Sequence, residues 1–137
     1  MRTILAMLVL GFAAALGFVV KKRRPDAPTQ SLKAIPQQLS RKDFLSPESA
    51  WLVAVFTSST CDACRDVATK AKVLASHDVA VQVLDYPDMR VLHERYAIEA
   101  VPTTVIADGH GIVQYGIIGP VTATDLWAAM ARLTSRV

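Results

Sequence analysis

Three patterns of apolar and polar positions follow one another along the chain. From Thr3 to Val20 the sequence reads TILAMLVLGFAAALGFVV, eighteen residues without a charge. As a helix at ~1.5 Å per residue this segment covers roughly 27 Å, near the lower limit for crossing a bilayer. It leaves no polar stripe to face water, so it does not read as a core helix of a following domain. From Pro25 to Pro47 four prolines sit among Gln, Ser, Thr and charged residues. That composition stiffens the backbone and offers little to bury, which predicts a tether; a short element around Leu39 to Leu45 is not separable from it by pattern.

At Trp51 the pattern changes again. WLVAVFTSS is a continuous apolar and β-branched run, as expected of a strand buried on both faces. From Cys61 through Ser76, Cys64, Val67, Ala68, Ala71, Leu74 and Ala75 share one stripe, while Asp62, Arg65, Asp66, Lys70 and Lys72 lie outside it. The spacing predicts an amphipathic helix that starts at the cysteines. Val79 to Tyr86 predicts a second strand, and Pro87 with Asp88 opens a short helix to about Ala97. Val101, Pro102 and TTVIAD predict a third strand, which Gly109, His110 and Gly111 turn into the hairpin partner IVQYGIIG. The last helix starts near Thr122 or Thr124, where Thr122 and Asp125 have capping-box spacing, and is expected to bury Leu126, Trp127, Met130 and Leu133. The order β-α-β-α-β-β-α joins a parallel βαβ unit to an antiparallel ββα unit. The expected architecture is therefore an α/β domain with a central mixed sheet flanked by helices, preceded by one transmembrane helix. The organisation is an anchor with a basic flank over 1–24, a Pro-rich linker over 25–47 and the domain over 48–137. No internal repeat is visible.

Composition narrows the class. With 137 residues, 52% hydrophobic and 20% charged, the chain holds one small domain plus an appendage and is neither disordered nor collagen-like. The net charge of +3 is unevenly spread: residues 1–50 carry eight basic and three acidic side chains, residues 51–137 seven and nine. A groove that tracks phosphates needs the sign opposite to that of the body, so no nucleic-acid partner is expected. The run Lys21, Lys22, Arg23, Arg24 follows the apolar segment, and only Arg2 precedes it. The positive-inside bias then places the domain in the cytoplasm of a cell membrane crossed once, with an extracytoplasmic domain as the alternative. Ala13 and Ala15 offer the competing reading of a cleavable signal peptide. The length of the apolar run, the single n-region arginine and the basic cluster downstream weigh against it. Anionic lipid is a secondary reading of that cluster.

Cys61 and Cys64 are the only cysteines, which excludes a multi-disulfide scaffold and any four-thiolate metal site within one chain. At a strand-to-helix junction, the sulfur on the first turn meets unsatisfied N–H groups and the positive end of the helix dipole, which favour a thiolate. Cys61 is therefore the expected nucleophile. Cys64, three residues on, reaches the same sulfur but falls on the apolar stripe, as expected of a shielded resolving thiol. Attack on a substrate disulfide gives a mixed disulfide, which Cys64 resolves, and the reverse sequence oxidises a dithiol. No cofactor beyond the Cys61–Cys64 disulfide is expected, and no metal.

The dithiol, the order of elements and Val101-Pro102-Thr103 at the start of a strand together resemble the thioredoxin superfamily, over roughly residues 51–136. The stretch ERYAIEAVPTTVIAD looks like the family's succession of helix, loop, cis-proline and strand. The resemblance implies a cis bond before Pro102, packed against the dithiol, and a substrate groove formed by Thr60, Asp62, Ala63, Val101, Pro102 and Thr103. Its implied partners are protein dithiols or disulfides and a thiol reductant or reductase as electron donor. The chain departs from the family pattern at three points: Thr60 stands where Trp is usual, Asp62-Ala63 where Gly-Pro is usual, and Val55 where thioredoxins bury an Asp. Without that carboxylate, proton exchange with Cys64 needs another group or water. Asp62 opposes a thiolate by like charge and Arg65 partly offsets it; if Asp62 prevails, the protein is a reductant rather than a strong oxidant. The family's first strand and first helix look truncated.

Plainer readings stand beside these. The scaffold could serve as a redox-inert binding module or a slow redox sensor for a membrane partner. His77, His93 and His110 lie apart and read as solvated surface residues. Asp85 is a candidate for proton transfer, with a strand-terminal or helix-capping role as the plainer alternative. Trp51 and Trp127 read as packing residues.

Overall fold

The computed structural model describes residues 35–135 of the chain. The expected membrane segment, the basic run after it and the cleavage alternative lie outside these residues. Among the described residues no helix is long and apolar enough to cross a membrane.

Four strands form one sheet: β1 Trp51–Ser58, β2 Val79–Tyr86, β3 Thr103–Asp108 and β4 Val113–Ile118, in the spatial order β2-β1-β3-β4. β1 pairs with β2 in parallel and with β3 antiparallel, and β3 pairs antiparallel with β4. The helices are α1 Asp62–Lys72, α2 Arg90–Arg95 and α3 Ala123–Thr134. This is the mixed sheet expected from the element order. β1 is an inner strand whose first seven residues are all buried, the reason its sequence is apolar without alternation.

The sheet has two covered faces. On one, Trp51, Val53, Val55, Val79 and Ile106 pack against Val67 and Ala71 of α1 and Leu126, Ala129 and Met130 of α3. On the other, Leu52, Ala54, Phe56, Leu84, Val105 and Ala107 pack against Leu39 and Phe44, with Leu92 and Tyr96 at the margin.

Leu39 and Phe44 correct the expected boundary at residue 48. The tether read over 25–47 does not run to Pro47, because from residue 35 the chain belongs to the folded body. Leu39 and Phe44 are buried, Gln38 bridges to Ile112, and the Leu39 N–H donates to the Gly111 carbonyl at 2.7 Å. Val113 N–H donates back to the Gln37 carbonyl at 3.0 Å. A 3-10 turn over Arg41–Asp43 carries Arg41 into the body, where its guanidinium donates to the carbonyls of Asp108 and Ser46. Gly111 makes this seating possible: it sits at φ +82°, and a Cβ there would fall 1.9 Å from the Leu39 carbonyl oxygen.

Three further expectations are corrected. α2 begins at Arg90 rather than Pro87, after a turn over residues 87–89, and gives way where Ala97 takes the left-handed φ of 51°. Trp127 is 43% exposed, not buried. Leu126, Ala129 and Met130 take the inward face of α3, and Trp127 lies beside it with its indole N–H donating to the Lys70 carbonyl at 3.3 Å. His93 is buried rather than solvated: its Nε2 meets the Leu84 carbonyl at 2.8 Å, and its ring stands edge-on to Phe56 and Tyr86. His77 and His110 are exposed, as expected. Thr122 caps α3 as the spacing predicts, with its Oγ1 accepting from Asp125 N–H at 3.1 Å, while the Asp125 carboxylate accepts from the Thr122 hydroxyl at 2.7 Å rather than from the Thr122 backbone N–H of a full capping box.

Candidate functional site

The C-terminal ends of β1 and β2 and the N-terminal end of β3 share one end of the sheet, by the pairing of Ser58 with Tyr86 and of Phe56 with Thr103. The dithiol lies there. After β1 a turn over Ser59 and Thr60 leads to Cys61, the N-cap of α1, with extended backbone at φ −105° and ψ 107°. Its Sγ accepts the Cys64 N–H at 3.2 Å, a donor shared with the Cys61 carbonyl at 3.2 Å. The amphipathic stripe then sets the exposure of each sulfur-bearing residue. Cys61 is half-buried at the surface, whereas Cys64 is 2% exposed on the stripe that continues through Val67, Ala68 and Ala71. The two cysteines form a disulfide with Cα atoms 5.3 Å apart.

Beside the disulfide is a pocket of about 210 Å³ between α1 and the edge strand β2, lined by Cys61, Cys64 and Arg65 on one side and Thr57, Val83 and Asp85 on the other. Strand alternation explains the second wall. Thr57 lies two residues after Val55 and pairs with Asp85, so both point to the α1 face at the level of the helix start. Thr57 Oγ1 donates to Asp85 Oδ1 at 2.9 Å. Asp85, read from sequence as a strand-end carboxylate, thus stands in the dithiol pocket, and Arg65 gives the opposite wall the opposite charge.

Position 55, where thioredoxins bury a carboxylate, is a fully buried Val. The polar group nearest it in the sheet is its β3 partner Thr104, buried, with a hydroxyl that has no hydrogen-bond partner among the described residues.

The remaining expected groove residues are placed unevenly. Thr60 and Asp62 are exposed next to Cys61, Ala63 is half-buried, and the Thr60 hydroxyl meets Ser58 Oγ at 3.2 Å. The Val101–Pro102 bond is cis, as the resemblance implies, and so is Tyr86–Pro87, for which the sequence carries no signal. Pro102 is buried, with its carbonyl accepting from Gly119 N–H at 2.7 Å. Thr103 is also buried, and its hydroxyl donates to the Ala100 carbonyl at 2.7 Å, so that hydroxyl is already engaged within the fold. Val101 is half-buried, and among the described residues neither its N–H nor its carbonyl makes a backbone hydrogen bond. Thr57 was missed from sequence; the available signal was a hydroxyl on the helix-facing side of an otherwise apolar strand. Among the described residues no three side chains of His, Cys, Asp or Glu gather as a metal site.

No protein-family model matches the sequence, and no curated protein matches it. Solved structures do. Oxidised thioredoxin O2 of Arabidopsis thaliana superposes with a TM-score of 0.57 at 25% identity, covering 69% of this chain and 89% of that one. The germline-specific thioredoxin Deadhead of Drosophila melanogaster gives 0.57 at 24% identity, over 67% of this chain and 89% of its own. The fold is that of the thioredoxin superfamily. A point-mutant thioredoxin of Halobacterium salinarum shares this thioredoxin-like architecture, with a TM-score of 0.55 at 23% identity over 66% and 80% of the two chains. On the thioredoxin-like sheet, a dithiol at the first helix with one accessible and one shielded sulfur is equipped for thiol-disulfide exchange.

Proposed function

We propose that the protein is a membrane-anchored thiol-disulfide oxidoreductase in which Cys61 attacks and Cys64 resolves. The observation that carries this reading is the asymmetry of the pair: Cys61 is half-buried and its Sγ accepts the Cys64 N–H, while Cys64 is buried on the α1 stripe. In the reduced enzyme the same N–H would stabilise a Cys61 thiolate, as would the helix start. The thiolate displaces one sulfur of a substrate disulfide, giving a mixed disulfide and a leaving thiolate. Cys64 then attacks Cys61 Sγ, the second substrate sulfur leaves, and two electrons have passed from the dithiol to the substrate. A thiol reductant or reductase restores the dithiol. The polar backbone groups of Val101, beside cis-Pro102, offer pairing to an extended protein substrate across from Thr60, Asp62 and Ala63.

The apolar segment 3–20 supports a single-pass anchor, and the Lys21–Arg24 run supports a cytoplasmic dithiol.

Two experiments test the proposal. The full chain in detergent should reduce insulin with dithiothreitol as donor and give a reversible Cys61–Cys64 couple in a glutathione titration. Unchanged insulin reduction by Cys61→Ser, or no reversible couple, sinks the catalytic reading. Alkaline phosphatase fused after Val137 should be inactive in intact cells although present on a blot; an active fusion places the dithiol outside the cytoplasm.

A further inference from the structure

The dithiol chemistry leaves one proton without a carrier. The buried Val55 offers no base, and the hydroxyl of its β3 partner Thr104 is not a base at neutral pH. We propose that Asp85 on β2 is the group that exchanges the proton of Cys64 during resolution of the mixed disulfide. This rests on the oxidoreductase reading above and adds a catalytic residue to it.

Geometry brings Asp85 there from a strand 24 residues of sequence away from Cys61. It is half-buried, lines the pocket that both cysteines line, and is fixed through Oδ1 by the Thr57 hydroxyl and through its backbone carbonyl by the Met89 N–H at 2.8 Å. Its Oδ2 has no hydrogen-bond partner among the described residues. One oxygen is thus committed to orientation and the other is left for chemistry. The titratable or charged groups that line the pocket with it are Cys61, Cys64 and Arg65, all from α1. Tyr86 and His93 pack against each other with Phe56, whose side chain belongs to the sheet's other face.

In the mixed disulfide, Cys64 is a thiol and Cys61 Sγ is bonded to the substrate sulfur. The Asp85 carboxylate takes the Cys64 proton, directly or through pocket water, and the Cys64 thiolate attacks Cys61 Sγ. The Cys61–Cys64 bond forms, the bond to substrate breaks, and the leaving thiolate is protonated by Asp85 or by solvent. Asp85 returns to its starting state, the substrate sulfur is reduced and the dithiol is oxidised. In the oxidising direction the same carboxyl delivers the proton to Cys64 as it leaves. Arg65 on the facing wall favours the negative charge wherever it resides, on sulfur or on carboxylate.

The test separates the two chemical steps in the full-length protein in detergent. Iodoacetamide trapping of the reduced protein reads the Cys61 thiolate, and release of a chromogenic thiol from a preformed Cys61 mixed disulfide reads resolution, each from about pH 5.5 to 10. Asp85→Asn should slow release about 100-fold near pH 7, the low end for a lost general base, and leave Cys61 trapping within about threefold. The deficit should narrow towards the alkaline end of the range, where hydroxide can take the Cys64 proton in place of the carboxylate. Asp85→Glu should recover most of the rate, and Thr57→Val should lose part of it with the same pH signature. Release by Asp85→Asn at the wild-type rate across the range overturns the proposal, as does a uniform loss at every pH, which marks a purely structural carboxylate. If wild-type protein cannot resolve the mixed disulfide, the oxidoreductase reading itself fails; if wild type resolves and Asp85→Asn is unaffected, only the role of Asp85 does.

Discussion

The two faces of the sheet are covered by different means. The face under α1 and α3 is closed by two amphipathic helices of 11 and 12 residues, each with a side-chain N-cap: Cys61 for α1 and Thr122 for α3. The opposite face is closed by a six-residue helix and a strap without regular structure beyond one 3-10 turn, held by Leu39, Phe44 and the buried Arg41. The chemistry stands on the helical face, where an element start aims backbone N–H groups at a sulfur. The strap face contributes stability and carries polar residues in its interior, with His93 and Arg41 tied to backbone carbonyls. The chemistry is therefore confined to one face, while both faces contribute to stability.

Substitutions on each face can break that separation, and the largest expected effect is chemical. Cys61→Ser on the helical face should remove insulin reduction entirely and leave the urea midpoint close to that of the reduced wild type, read from Trp51 fluorescence. Phe44→Ala on the strap face should do the reverse, costing about 3–5 kcal/mol of stability while leaving the exchange rate of the folded fraction intact. Gly111→Ala should cost roughly 1–3 kcal/mol, because the added Cβ collides with the Leu39 carbonyl and the φ is left-handed; faster protease cleavage between residues 35 and 45 would locate the damage in the strap. Thr122→Ala, which removes the α3 cap, should cost about 1 kcal/mol in the same unfolding assay.

The smallest effect is a pH dependence on the strap face. Asp43 joins the strap to Arg95 at 2.6 Å and to the Tyr96 hydroxyl, and the hydrogen bond from Arg95 followed by that from Tyr96 holds its carboxyl below the usual range. A depressed folded-state value contributes stability above the unfolded value of about 3.9, and that contribution is lost as pH falls through the folded one. Asp43→Asn should therefore lower the unfolding midpoint at pH 7 and converge with wild type as pH falls through the depressed folded-state value. A deficit that persisted in acid would assign the loss to packing instead.

How much of this was legible in sequence also divides by face. β1 announced itself by an unbroken apolar run, α1 by its stripe from Cys64 to Ala71, and α3 by the Thr122 and Asp125 spacing, because each signal is local and periodic. The strap carried no such signal: Leu39 and Phe44 are two apolar residues five apart among prolines and polar residues, and only the sheet shows that they fill its open side. Trp127 misled because its ring is apolar while its angular position lies outside the inward set of Leu126, Ala129 and Met130. His93 misled in the opposite sense, since one backbone carbonyl suffices to bury an imidazole. At the site, the two cysteines and the proline were legible as a motif. The meeting of Thr57 with Asp85 was not, because it depends on the parallel register of strands that bring together residues 28 apart.

The Gly111 seating also determines how the protein bears load. Tension drawn through the N-terminus is met first by the strap's two backbone hydrogen bonds, Leu39 to Gly111 and Val113 to Gln37, at the far end of the sheet from the dithiol. Between those bonds and β1 the strap is tied again, by Arg41 to the Asp108 and Ser46 carbonyls and by Asp43 to Arg95, and β1 itself is held on both sides by neighbouring strands. The strap is thus the element expected to give way first under a pull, with the strand that leads into Cys61 kept in register by both neighbours.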